Sequence, residues 1–164
     1  MSIQTKSKVF STKKEQSLLL AFCLLLPLCC SAQQSRLAVH PPQQVTIKRG
    51  SSVTEKLDVA VQAGFHVNSD KPKDEFLIPL KLTWTGGPLE IQNVSYPKPE
   101  EIKVGSQLLT VFTGNFQIGT SFQAPANAPV GNVIMVGKLR YQACNNEMCF
   151  RPASIEVHLP VAVE

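Results

Sequence analysis

Apolar and polar residues alternate with a period of two along much of this chain, and the clearest example begins at Val53. An extended chain there would carry apolar residues on one side and polar residues on the other: Val53, Leu57, Val59 and Val61 against Thr54, Lys56, Asp58 and Gln62. This alternation indicates a β-strand with one face buried and the other in water. Gly64 ends the pattern.

Further segments rich in Val, Ile, Thr and Phe predict more strands. They are residues 76–84, 89–96, 107–112, 115–123, 133–143 and 154–163, with a candidate edge strand at 44–48. Connections rich in polar residues, Pro or Gly separate them, at residues 69–75, 86–88, 97–101, 125–129 and 131–132. No window shows a sustained apolar stripe of the 3.6-residue helical period. Short strands, frequent turn signals and 12 prolines predict an all-β protein, an antiparallel β-sandwich.

The first 32 residues have a different pattern, that of a secretory signal peptide. Four lysines precede an apolar run from Leu18 to Cys30, and small residues follow at Ser31 and Ala32. The run is shorter than the roughly 20 residues that cross a bilayer. We therefore expect cleavage after Ala32 and an exported, soluble protein. Lipid attachment at Cys29 or Cys30 is the alternative, although the residues before them are bulkier than a lipoprotein signal needs.

Without this segment, residues 33–164 are expected to form one domain that can bury its own core without disulfide staples. The formal charge falls from +4 to +1, because 12 Lys and Arg then stand against 11 Asp and Glu. No cluster of Lys and Arg with interleaved aromatic residues occurs, which argues against a nucleic-acid-binding surface. Three of the five cysteines belong to the first 32 residues, so Cys144 and Cys149 remain.

Cys144 and Cys149 flank a short polar connection, residues 145–147, between a predicted strand and a return that resumes after Pro152. In a hairpin, the two thiols would face each other across its mouth and could form a disulfide without long-range folding. The residues alone leave three interpretations open. The pair is a structural disulfide, which is common in exported proteins, a redox-active dithiol that exchanges disulfides with partners, or part of a metal site.

Physical chemistry weighs these interpretations without deciding between them. Closing a loop of about six residues contributes only roughly 2 kcal/mol in the chain-entropy model, and this weakens the structural interpretation. Exposed disulfides are also the more readily reduced ones. Structural zinc needs four nitrogen or sulfur ligands, and the three histidines of the chain form no pair. Cys144, Met148 and Cys149 would instead be soft ligands for Cu(I).

The segment YQACNNEMCFRP, residues 141–152, resembles the cysteine motif of the amino-terminal periplasmic domain of DsbD, the thiol:disulfide interchange protein. A second block, GFHVNS at residues 64–69 followed by FLIP at 76–79, resembles another recurring block of that family. The resemblance covers roughly residues 45–161, and the cysteine hairpin is its specific part. It implies that the predicted sandwich is immunoglobulin-like.

The resemblance implies that Cys144 and Cys149 are the redox pair, with Cys149 forming the mixed disulfide and Cys144 resolving it. It implies a periplasmic thiol:disulfide interchange activity without a bound cofactor or a small-molecule substrate. Electrons would pass from a membrane-embedded or thioredoxin-like donor to exported thiol proteins, such as disulfide isomerases and cytochrome c maturation factors. We expect the protein to be a monomer.

Other residues are candidates for a supporting pocket. His66 and Asn68 fall where the family places side chains beside the pair, and an imidazolium at His66 would favour the thiolate; a partly exposed histidine at a strand end is the alternative. Glu147 would raise the pKa of a nearby cysteine, or it is a solvated turn residue. Phe150 is expected to pack beneath the pair. A loop over the active site would correspond to residues 101–109.

Two features depart from DsbD. The chain carries neither its multi-span membrane region nor its thioredoxin-like domain, so we expect a stand-alone homologue that takes electrons from a separate protein. The insert between the cysteines is also slightly shorter than in the best-known members. The leading alternative from another functional class is a non-catalytic sandwich that binds a protein partner and uses the disulfide as a staple.

Overall fold

The structure, a computed structural model, describes residues 35–164, and the predicted signal peptide at residues 1–32 lies outside them. The described residues form one compact unit of twelve strands without a helix, so no helix that could cross a membrane occurs among them. The strands are β1 (Leu37–Val39), β2 (Val45–Ile47), β3 (Ser52–Val61), β4 (His66–Asn68), β5 (Lys81–Gly86), β6 (Glu90–Ser95), β7 (Glu100–Val104), β8 (Gln107–Phe112), β9 (Asn115–Gln123), β10 (Gly131–Tyr141), β11 (Ala143–Cys144) and β12 (Ala153–Val163).

These strands form three four-stranded sheets. Sheet A has the order β1-β3-β9-β6, sheet B the order β2-β12-β10-β5, and sheet C the order β11-β4-β8-β7. All pairs are antiparallel except β2 and β12, which run parallel. The prediction of an antiparallel β-sandwich is confirmed, with this one parallel pair as the difference.

The alternating pattern of β3 predicts its buried face correctly. Leu57, Val59 and Val61 are buried, whereas Lys56 and Asp58 on the alternate positions are exposed. The buried residues contact residues of the other sheets in one cluster, which includes Ile118 of sheet A, Leu139 of sheet B and Val67 and Phe112 of sheet C. A second cluster joins Phe122 of sheet A to Met135 and Leu159 of sheet B. Burial of these apolar faces against each other supplies the main stabilisation of the sandwich.

The strand predicted at residues 76–84 is wrong in its first half. Strand β5 begins only at Lys81, and Phe76 has 84% of its surface exposed. Pro79 has no N–H to offer a neighbouring strand, which disfavours a sheet position here. A side-chain hydrogen bond holds this segment instead of a strand ladder. Asn68 Nδ2 donates to the Ile78 carbonyl oxygen at 3.0 Å.

The connection predicted at residues 97–101 is confirmed for residues 97–99, but Glu100 and Glu101 already belong to β7. Most of residues 101–109, which the resemblance suggested as a loop over the active site, are strand. Residues from Glu100 to Phe112 form a β-hairpin, β7 and β8, which turns at Gly105 and Ser106. Gly105 has a φ of 59°, a left-handed value that a residue with a side chain adopts only at a cost. This hairpin belongs to sheet C, where β4 lies between it and β11. The short strands β1 and β4 were not predicted either.

One strand connects sheet B to sheet C and thereby positions the cysteines. Strand β10 pairs with β12 along its whole length, from Gly131 opposite Val163 to Tyr141 opposite Ala153. After Gln142 the chain joins sheet C as β11, where it pairs with β4. The cysteine segment is therefore the connection between two long paired strands, and the predicted hairpin is confirmed.

Candidate functional site

Cys144 and Cys149 form a disulfide, with 4.0 Å between their Cα atoms. The two residues also make an antiparallel β-bridge. Two backbone hydrogen bonds continue the ladder on either side, from Asn145 N–H to the Met148 carbonyl oxygen (3.0 Å) and from Phe150 N–H to the Ala143 carbonyl oxygen (2.9 Å). The backbone ladder on both sides thus helps to hold the two cysteines opposite each other.

The side chain of Asn145 holds the turn between the cysteines. Its Oδ1 accepts hydrogen bonds from the backbone N–H of Glu147 (2.9 Å) and of Met148 (2.7 Å). Asparagine commonly organises tight turns in this way, by accepting from the backbone two or three residues ahead. Asn146 is exposed, and the described residues show no side-chain hydrogen bond for it.

We expect Asn145→Ala to destabilise the hairpin most clearly in the reduced protein, because no covalent bond then closes the turn. The loss of two hydrogen bonds should lower the free energy of unfolding of the reduced form by about 1–2 kcal/mol. Urea denaturation under reducing conditions measures this value. Asn146→Ala is the matched control and should change it by less than about 0.5 kcal/mol. Equal effects of the two variants would show that the Asn145 side chain does not hold the turn.

The two cysteines differ sharply in exposure. Cys144 is 1% exposed, whereas Cys149 is exposed. The position of the two residues in sheet C explains the difference in exposure. Cys144 lies between β4 and the returning chain, whereas Cys149 lies on the outer side of this edge of the sheet. Met148, beside Cys149, is 56% exposed and adds an apolar surface there. Of the two cysteines, Cys149 is therefore the one that lies at the surface.

His66 is the cross-strand neighbour of Cys144. The two residues lie directly opposite each other in the antiparallel pair of β4 and β11, and His66 is only 4% exposed. Burial lowers the pKa of His66 below its ordinary value, because it disfavours the charged ring. Burial thus disfavours the imidazolium of the sequence hypothesis, and the alternative of a partly exposed histidine is wrong. Within residues 35–164, His66 Nε2 is buried and has no hydrogen-bond partner.

Asn68 and Gln142 continue this polar face. Asn68, two residues beyond His66, donates from Nδ2 to Gln142 Oε1 at 3.4 Å. Gln142 in turn donates from Nε2 to the Phe150 carbonyl oxygen at 3.1 Å. The side chain of Gln142 therefore links β4 to the returning arm of the cysteine hairpin. Asn68 was predicted from the sequence but Gln142 was not, although Gln142 lies inside the motif that carries the resemblance.

Phe150 contacts both an aromatic ring and a cation. Its ring centroid is 5.7 Å from that of Phe65, and the Arg36 guanidinium carbon is 3.6 Å from the Phe150 centroid. Phe150 is half-buried in this stack. A cation over an aromatic face contributes about 0.5–2 kcal/mol. Sequence analysis missed Arg36, because nothing local marks a residue whose partner is so distant in the chain.

The remaining predicted site residues, Glu147 and residues 101–109, are not grouped with the cysteine pair as His66 and Asn68 are. Glu147 is exposed, and only its backbone N–H takes part in the turn. Residues 101–109 form most of the β7–β8 hairpin at the opposite edge of sheet C.

Two surface depressions lie over sheet A around His40 and Asp58, and neither is lined by a cysteine. Along residues 35–164, no group of three or more His, Cys, Asp or Glu is arranged to hold a metal ion.

Residues 33–160 match the family model described as "Thiol:disulfide interchange protein DsbD, N-terminal". The chain belongs to this DsbD N-terminal family. The resemblance inferred from the cysteine motif is thereby confirmed. The family match and the disulfide between Cys144 and Cys149 together identify a thiol:disulfide interchange domain. A comparison with curated proteins finds no match.

Two solved structures are similar to this chain. The N-terminal periplasmic domain of ScsB from Proteus mirabilis is similar with a TM-score of 0.51 at 16% identity, over 68% of this chain. This chain spans 42% of the ScsB chain. The N-terminal domain of DsbD from Neisseria meningitidis, in the reduced form, matches with a TM-score of 0.44 at 18% identity, over 63% of this chain and 74% of that one. The immunoglobulin-like β-sandwich is confirmed.

Proposed function

We propose that this domain relays reducing equivalents between exported proteins through reversible opening of the Cys144–Cys149 disulfide. The unequal exposure of the two cysteines carries the proposal, since a relay needs one sulfur that a partner can attack. Thiol–disulfide exchange proceeds by attack of a thiolate on a disulfide sulfur, through a mixed disulfide. Cys149 is the accessible sulfur, and Cys144 is held beside it by the backbone.

The relay has two halves. A donor dithiol attacks the Cys149 sulfur, the Cys144 sulfur leaves, and the second donor thiol then resolves the mixed disulfide, so that the donor is oxidised and the domain carries two thiols. The reduced domain next attacks an acceptor disulfide through Cys149, and the acceptor's leaving sulfur takes a proton. Cys144 then attacks Cys149 and releases the acceptor as a dithiol. Two electrons and two protons pass in each half, and no cofactor is required.

The partners follow from this chemistry. The donor is a membrane-embedded or thioredoxin-like dithiol protein, and the acceptors are exported proteins with reducible disulfides. The ScsB domain of similar fold is a periplasmic domain, which supports an extracytoplasmic location, as does the predicted signal peptide. The exposed Met148 beside Cys149 offers an apolar contact for a partner surface. The polar backbone of the short edge strand β11 lies next to it.

The reduction potential of the Cys144–Cys149 pair tests the proposal. We expect a value above about −270 mV, within the range of catalytic dithiols. The purified domain should be equilibrated with dithiothreitol or glutathione buffers, and the reduced fraction read by mass after alkylation of free thiols. A value well below about −300 mV is typical of structural disulfides. Such a value would contradict the relay and favour a binding module in which the disulfide is a staple.

A further inference from the structure

Three buried side-chain polar atoms have no hydrogen-bond partner among the described residues: Arg36 Nε, His66 Nε2 and Asn68 Oδ1. Of these, only the His66 atom belongs to the residue directly opposite a cysteine of the disulfide. His66 Nε2 has no hydrogen bond among the described residues, although its side chain is almost fully enclosed. Buried polar groups are nearly always hydrogen-bonded, because an unpaired one loses its interaction with water and gains nothing in return. An exception of this kind calls for a physical explanation.

The register of the sheet supplies one. His66 lies directly opposite Cys144 in the pair of β4 and β11. Directly opposite residues of an antiparallel pair project from the same face, with Cβ atoms about 4.5–5.5 Å apart. Cys144 is itself 1% exposed. The imidazole and this sulfur therefore share one enclosed space from which water is largely excluded.

Opening the disulfide changes what the sulfur can do. In the disulfide, the Cys144 sulfur carries no proton and accepts hydrogen bonds only weakly. In the reduced form it is either a thiol, which can donate to an unprotonated ring nitrogen, or a thiolate, which can accept from a protonated one. Burial favours the neutral ring by lowering the pKa of His66, and a neutral ring offers one nitrogen of each kind.

We propose that His66 Nε2 is the hydrogen-bond partner of the reduced Cys144 sulfur, and that His66 thereby stabilises the dithiol form relative to the disulfide. The proposal rests on the proposed function for its biological meaning, since it makes His66 a determinant of the relay's potential. A reducing dithiol supplies the two electrons and two protons that convert the disulfide to two thiols and is itself oxidised. The proton retained near Cys144 is shared between its sulfur and the His66 ring.

Three substitutions at His66 test the hydrogen bond. His66→Phe removes it and should lower the equilibrium constant for reduction roughly tenfold, which corresponds to about 30 mV towards a more negative potential. His66→Gln places an amide near the position of Nε2 and should stay within about threefold of the parent protein. His66→Asn reaches only the position of Nδ1 and should behave like His66→Phe.

The control is His158→Gln, which replaces an exposed histidine on β12 that pairs with Glu156. It should leave the potential unchanged. Equal potentials for all three His66 variants and the parent protein would overturn the proposal, as would a loss in His66→Gln equal to that in His66→Phe. This test compares the His66 variants with the parent protein. The hydrogen-bond proposal can therefore fail while the potential of the parent protein still supports a relay. The hydrogen-bond proposal can also be supported if the potential of the parent protein lies in the range of structural disulfides.

A measurement on the unaltered protein covers the case in which a variant does not fold. The ¹⁵N signal of His66 Nε2 should move between the oxidised and the reduced protein, because it gains a partner on reduction. Cys149→Ser leaves Cys144 as a free thiol and should give the signal of the reduced form. An Nε2 signal at the same position in both redox forms would overturn the proposal.

Discussion

Cys149→Ser is expected to abolish disulfide exchange and to leave the domain folded. Cys149 is the exposed member of the pair, so its loss removes the sulfur that a partner can reach. The stability lost with the bond is small, because the closed loop is short and contributes about 2 kcal/mol in the chain-entropy model. Domains of this size have about 5–15 kcal/mol in total. Strands β10 and β12 remain paired in either case.

The matched variant is Cys144→Ser, which keeps the exposed sulfur and removes the buried one. With oxidised glutathione it should accumulate a stable mixed disulfide at Cys149, because no second thiol resolves it. Cys149→Ser should react more slowly by roughly tenfold or more, since Cys144 is enclosed. Mass spectrometry follows both reactions, and circular dichroism checks the fold. Equal reaction rates, or an unfolded Cys149→Ser, would contradict the assignment of roles and favour a structural staple.

Phe122→Ala is expected to lower the free energy of unfolding by about 3–5 kcal/mol, a large share of the total for a domain of this size. Phe122 is fully buried and is the largest of the completely enclosed side chains among the described residues. Its ring packs edge-on against Trp84, with 5.1 Å between the ring centroids. Replacing it by alanine removes these contacts and leaves a cavity between sheets A and B. Trp84 is the only tryptophan of the chain, so its fluorescence reports this region directly.

The control for this prediction is Phe76→Ala. Phe76 has the same side chain but is 84% exposed, so its removal should change the free energy of unfolding by less than about 0.5 kcal/mol. Urea denaturation followed by Trp84 emission measures both variants. A loss below about 1 kcal/mol in Phe122→Ala would show that the second core cluster does not pack as described.

The strand prediction succeeded where a strand is long enough for its pattern to repeat. Strands β8 and β9 have the predicted bounds, and β3, β10 and β12 differ from prediction by only a few residues. It failed for β1 and β4, which have three residues each and show no period, and for β7, part of which was assigned to a connection. Strand β2 is equally short but lies inside the candidate edge strand at residues 44–48. Residues 76–80 have the apolar character of a strand but make no ladder. The amino-acid composition of a segment indicates whether it tends to be buried. It does not indicate whether a partner strand is present.

The candidate site divides in the same way. The two cysteines are close in sequence and flank a turn, so local chain geometry is enough to predict that they meet. His66, Asn68 and Phe150 came from the resemblance, and their contacts could not be foreseen from residue types. Arg36 was missed entirely, because its aromatic partner Phe150 belongs to the other end of the chain.

The sequence by itself determined the β-sandwich class, the cysteine hairpin and the family, because alternation, turn residues and a short motif are all local properties. Only the tertiary structure decided that Cys144 is enclosed while Cys149 is exposed, and that His66 faces Cys144. Both depend on the register between β4 and β11, which are distant in the chain. That register is set by the packing of the whole sandwich, since shifting it by one residue would turn every buried side chain of the strand towards the opposite face.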